Sequence, residues 1–180
     1  MSLRRLVYVT ATITLLILVV TAGLTYNSYS QANDSSTEIV TKLEPAATSA
    51  STLLLGTADM ERGVRAYVST QRAGELAPYA EGAAASEQAI ADIENLLSGT
   101  DPALEQQVDE VAQARTEWIN TVATPCINLV RANKVAQAET LLYSQQSRRT
   151  FELLRARATA VNTMIDQRVH VQFEDFQRFA

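Results

Sequence analysis

The chain has 180 residues, 47% hydrophobic and 19% charged, with six Gly and four Pro. That length and composition allow one modest folded domain plus an anchor and exclude a wholly disordered chain. Ala, Leu, Glu, Gln and Arg dominate and lose little rotamer freedom in a helix, so an all-α fold is expected. Net charge is −5, unevenly spread. Between Tyr26 and Glu110 there are 14 acids against Lys42, Arg62, Arg65 and Arg72, whereas Val111 to Ala180 carry nine bases and six acids. The two halves should attract each other, as a helical hairpin folded on itself requires, and no basic stripe suited to nucleic acid is formed. Cys126 and His170 are each the only residue of their kind. An intrachain disulfide and a Cys-rich or two-His metal site are thereby excluded, and no cofactor is expected. Cys126 reads as a small core residue and His170 as a polar residue of the last helix.

Arg4 and Arg5 precede an uncharged run from Leu6 to Thr25, and the next base is Lys42. About 20 apolar residues at ~1.5 Å each span a hydrocarbon core. The run is too long for the apolar core of a cleaved signal peptide, and Ala22-Gly23-Leu24 is a poor cleavage site. The expected order is a cytoplasmic segment 1–5, a transmembrane helix 6–25 and an extracytoplasmic domain 26–180, because positive residues stay inside. The lipid bilayer of the inner membrane is then a partner. Thr10, Thr14, Thr21 and Thr25 share one helical stripe, open either to contact with a second helix or to bonding their own backbone.

Beyond the anchor, Ile39, Leu43, Ala46, Ala50, Leu53, Thr57, Met60, Val64 and Tyr67 recur at alternating spacings of four and three. The spacing predicts a first long helix that continues from the membrane, bent at Pro45. The segment from Ser69 to Gly74 ends it, and Leu76, Tyr79, Ala83, Ser86, Ile90, Ile93 and Leu97 begin a new phase. Gly99, Asp101 and Pro102 fit a helix stop, an N-cap and a first helical residue. Leu104, Val108, Val111, Trp118, Val122 and Leu129 then mark a third helix, with a kink expected at Pro125. The chain turns at Asn133-Lys134, passes a short helix through Val135, Ala138 and Leu142, and reaches a polar stretch from Ser144 to Thr150. The last helix is expected after it, with Phe151, Leu154, Ala158, Val161 and Ile165 inward. The apolar spacing then changes at Val169, Phe173 and Phe176, which implies altered supercoiling or a frayed end. Short connections force neighbours antiparallel, so the expectation is an up-down-up-down four-helix bundle, roughly 45 Å tall.

Glu61-Arg62-Gly63-Val64-Arg65-Ala66-Tyr67-Val68, Leu76-Ala77-Pro78-Tyr79, Glu81-Gly82, and Trp118 with Pro125, Arg131 and Ala138 resemble the third subtype of the CHASE sensory domains. The likeness runs from about Asn33 to Arg168. It departs at Thr70 to Gly74, where that family tends to place a Gly-Asp pair. The resemblance implies the input domain of a dimeric receptor, with the output of a sensor histidine kinase or else a cyclase, phosphatase or chemoreceptor. A small molecule or a protein would be its signal. None of the motifs of those outputs lies within these residues, so no catalytic residue is assigned. The alternative is a stand-alone single-pass bundle with a structural or protein-binding role.

Arg62 and Arg65 flank Gly63 and could clasp an anion between helices, or they could pair with Asp59 and Glu61 one turn away. Trp118, Tyr67 and Tyr79 could line a ligand site or pack in the core, and Gly63 suits a close helix contact. The register itself makes a prediction. Leu53→Asp or Ile93→Asp should collapse the fold, since an unpaired buried charge costs several kcal/mol, while Glu87→Ala should not. Equal melting temperatures for all three variants would refute the assigned register.

Overall fold

The structure is a computed structural model that describes residues 14–22, 39–99 and 101–179. Among these residues all regular structure is helical. Residues 14–22 form a helix with outward-facing apolar side chains. Here the Thr21 hydroxyl donates to the Ile17 carbonyl at 2.7 Å, the self-bonding alternative for the threonine stripe. No helix among the described residues is long and apolar enough to cross a membrane. The rest of the 6–25 run, and the expected continuity of the first helix through residues 26–38, lie outside the described residues.

The domain is built from α1 (Glu44–Thr70), α2 (Ala77–Leu97), α3 (Pro102–Trp118), α4 (Thr124–Arg131), α5 (Val135–Leu142) and α6 (Gln145–Phe179). Antiparallel packing follows from which residues meet. Gly56 lies against Gly82 and Ser86 while Gly63 lies against Tyr79, so α1 and α2 run in opposite directions. Ion pairs Arg157–Glu110 and Arg168–Asp101 give the same result for α6 against α3. With α1 also packed on α6, four rods close around one core. The third rod is α3 continued by α4, and the fourth is α6 with α5 leading into it.

The heptad reading locates that core. Leu43, Ala46, Ala50, Leu53, Thr57, Met60, Val64 and Tyr67 are all buried, as are Phe151, Leu154, Ala158, Val161 and Ile165 on the opposite side. Trp118 and Phe151 meet in the middle, ring centroids 5.7 Å apart and tilted by 56°. On α2 the pattern is buried from Ser86 onward, while Leu76, Tyr79 and Ala83 are half-buried.

The ends follow local chemistry. Gly99 has φ +74°, and Asp101 caps α3 by accepting a hydrogen bond from the Ala103 N–H at 2.7 Å. Gln71 and Asn133 take positive φ, 60° and 59°, and so close α1 and the α4–α5 turn without glycine. The polar stretch from Ser144 to Thr150 is not a connection. Ser144 accepts from the Ser147 N–H at 3.0 Å and starts α6 at once, which places Ser147 and Thr150 on buried positions of its opening turns. At its other end α6 does not fray but stays helical through Phe179.

Both prolines expected to bend a helix coincide with a departure from α geometry. Each follows a five-residue π segment, Ile39–Leu43 before Pro45 and Ile119–Ala123 before Pro125. Proline cannot donate to the carbonyl four residues back and collides with it, and the wider π turn moves that carbonyl away.

The closest approach in the fold is glycine-lined. A Cβ added at Gly56 would stand 2.8 Å from the Gly82 carbonyl, one added at Gly82 would stand 2.5 Å from the Gly56 carbonyl, and one at Gly63 would strike the Tyr79 backbone. Backbone cannot yield as a side-chain tip can. Gly63→Ala should therefore destabilise the full chain by about 1–3 kcal/mol, seen as a lower denaturant midpoint, whereas Gly74→Ala, which meets nothing within 4 Å, should not. Equal midpoints would refute the close seam.

Candidate functional site

Six residues were singled out by sequence, and the structure divides them. Arg62 pairs with Asp59 and Arg65 with Glu61, each within α1, and both guanidinium groups face solvent. Gly63, on the next face, forms the seam with α2. Tyr67 and Trp118 are core residues, and Tyr79 is half-buried over Gly63. The two arginines therefore do not converge with the three aromatics on a common opening.

A different arginine does enter the interior. Arg115 on α3 keeps only 12% of its side chain exposed. Its Nε donates to Ser86 Oγ at 2.9 Å, and an Nη donates to the Ala83 carbonyl at 2.6 Å and to Glu87 at 3.3 Å. Ser86 Oγ in turn contacts the Ala83 carbonyl at 3.1 Å and Met60 Sδ at 3.4 Å. The arrangement ties three rods together, α1 through Met60, α2 through Ser86 and α3 through Arg115. Burial raises the Tyr79 phenol above its ordinary pKa, opposed by the Arg115 charge and a hydrogen bond with the Thr124 side chain. Arg115 lies four residues after Val111 and three before Trp118, on the edge of the buried stripe, and periodicity alone does not mark it as a candidate.

Two cavities lie at the end of the bundle where α1 starts and α6 leaves. One, of about 300 Å³, has Ile93, Leu97, Leu104 and Val108 at its floor and Glu94 and Asp109 at its rim. The other, of about 440 Å³, lies between Leu43, Leu97, Met164 and Val171, with the Asp101–Arg168 pair beside it. The second touches α1's leading π segment, the α2–α3 turn and α6, so it lies at the junction of those elements. No group of three or more His, Cys, Asp or Glu residues among the described residues is placed to hold a metal ion.

Cys126 is fully buried on α4, its Sγ 3.7 Å from the Ala138 carbonyl of α5. Burial lifts its thiol from the ordinary 9.0 to about 11. The unfolded chain ionises first, so stability is intact below the ordinary value and declines as pH climbs from there to about 11. In detergent-solubilised chain at pH 8, Ellman's reagent should label Cys126 only at the rate of unfolding, and immediate labelling would contradict its buried position.

Neither comparison with curated proteins nor comparison with solved structures found a match. The family model of the CHASE3 domain, by contrast, matches residues 36–174, a span that takes in α1 to α5 and most of α6. CHASE3 domains are extracytoplasmic sensory domains of signalling receptors, and with most of its length matched this chain belongs to that family.

Proposed function

We propose that this chain is the membrane-anchored input module of a sensor histidine kinase whose output domain lies beyond these residues. In this reading Leu6 to Thr25 span the inner membrane, the N-terminus is cytoplasmic, and the bundle works outside as a homodimer that receives a small-molecule or protein signal. The uncharged run after Arg4 and Arg5 supports the anchor and its direction.

The observation that carries the proposal is the placement of α1 and α6. They pack side by side and reach the same end of the bundle. A signal received elsewhere in the domain can leave at that end only through these two helices, while α2 and α3 supply the surface against which they move. Packed helices have discrete arrangements, and a ligand that prefers one arrangement shifts the pair by a small slide or rotation. The cavity beside Asp101 and Arg168 leaves room for such a step without new voids in the core.

The test joins the chain, extended through a second span, to a histidine-kinase output and inserts one residue in α6 between Arg168 and Phe173. One residue rotates everything downstream by about 100°. A coupling of about 1–3 kcal/mol changes output roughly five- to 150-fold, so a change of that order is expected. Unchanged output from a folded bundle would show that α6 does not transmit.

A further inference from the structure

Six arginines of the bundle are neutralised. Arg62, Arg65 and Arg155 pair with acids of their own helix, and Arg115, Arg157 and Arg168 with acids of a neighbour. The stretch from Ile119 to Phe151 departs from this. It carries Arg131, Lys134, Arg148 and Arg149 against one acid, Glu139. All four bases are exposed, and none makes an ion pair among the described residues.

Arg131, in the last turn of α4, suits its helix, but the placement of the other three is unfavourable for the bundle alone. Lys134 directly precedes α5 and Arg148 and Arg149 lie near the start of α6, while neither helix has an acid in its first turn. Cations there oppose the positive end of the helix dipole. A local rule broken in this way, without compensation inside the fold, is characteristic of a surface that meets a partner.

The spacing selects the partner. The eight residues of α5, about 12 Å long, separate Arg131 and Lys134 from Arg148 and Arg149. A single phosphate or carboxylate cannot reach both pairs, whereas a chain of repeated negative groups can. Between the pairs stands Tyr143, 53% exposed and without a ring partner among the described residues. Its flat apolar face, with a polar tip, suits the apolar face of a sugar ring. We propose that the α4–α5–α6 corner docks an acidic polysaccharide, its anionic groups on the two cation pairs and an intervening ring on Tyr143.

The test measures binding of the full chain, in neutral detergent at low salt, to polygalacturonate, neutral dextran and polyphosphate. Polygalacturonate should bind and lose affinity steeply as salt rises, and dextran should not bind. Arg131→Glu with Lys134→Glu, and separately Arg148→Glu with Arg149→Glu, should each weaken binding at least tenfold, and Lys42→Glu should leave it unchanged. Tyr143→Ala should weaken polygalacturonate severalfold and leave any polyphosphate binding as it was. Circular dichroism checks folding, with Arg148→Gln and Arg149→Gln as milder replacements where the reversal unfolds the chain. Absence of binding, loss confined to one pair, or competition by monomeric galacturonate at equal sugar concentration would overturn the two-point assignment. Polyphosphate binding as tightly as polygalacturonate, with Tyr143→Ala neutral towards both, would reduce the corner to a charge patch and overturn the polysaccharide.

Discussion

The backbone contact between α1 and α2 governs much of this architecture. Gly56, Gly63 and Gly82 let two helices approach until carbonyl and Cα surfaces touch, and any side chain there would push them apart. Dispersion contacts are short-ranged, so that proximity makes the α1–α2 pair dense and rigid. It also aims α1. With its glycine face on α2, the stripe through Leu53, Thr57 and Val64 points into the space that α3 and α6 must fill.

The second half is held differently. Its interhelical ion pairs join acids of the first 110 residues to bases of the rest: Glu87 to Arg115, Glu110 to Arg157, and Asp101 to Arg168. The half-buried pairs of Glu110 with Arg157 and Asp101 with Arg168 each contribute modestly, on the order of 1 kcal/mol, and act more to select register than to stabilise. Arg115 is the exception because its guanidinium is largely desolvated and satisfied by three acceptors. Removing the Ser86 hydroxyl would leave that charge short of an interior acceptor, whereas Glu87 is itself largely exposed and adds little. The bundle thus joins one glycine-seamed helix pair to rods packed through larger core side chains, with polar pairs setting their register.

Much of this was legible in sequence because a repeat averaging 3.5 residues is a direct record of burial. Of the core positions assigned to the first rod, every one from Leu43 to Tyr67 is buried, and the same holds from Phe151 to Ile165. The attraction between the two charged halves was equally readable, and it appears as named pairs. The family resemblance, read from the block around Gly63, agrees with the match over residues 36–174. Features that depend on geometry rather than periodicity were not readable. Proline announces a disturbed helix, but not that a π segment will absorb it. Ser144 to Thr150 looks like a connection because its residues are polar, yet its hydroxyls cap and line the start of α6. Of the candidate site, Gly63 was read as a close contact and proved one, whereas the burial of Arg115 could not be inferred because an arginine on the rim of a stripe can turn either way.

The glycine seam also bears on how the chain finds its fold. Its two partners are joined only by the turn through Gln71 and the 3-10 segment Ala73–Leu76, so the densest contact in the molecule is also one of the most local in sequence. Loop-closure entropy for such a hairpin is small, whereas Asp101 must wait for Arg168, about half the domain later. By the relation between contact order and speed, the seam belongs to the nucleus and the ion-paired rods to the last step of folding. The part of the bundle that assembles last is then also the part that opens most easily, and α6, the helix proposed to carry the signal, is in it.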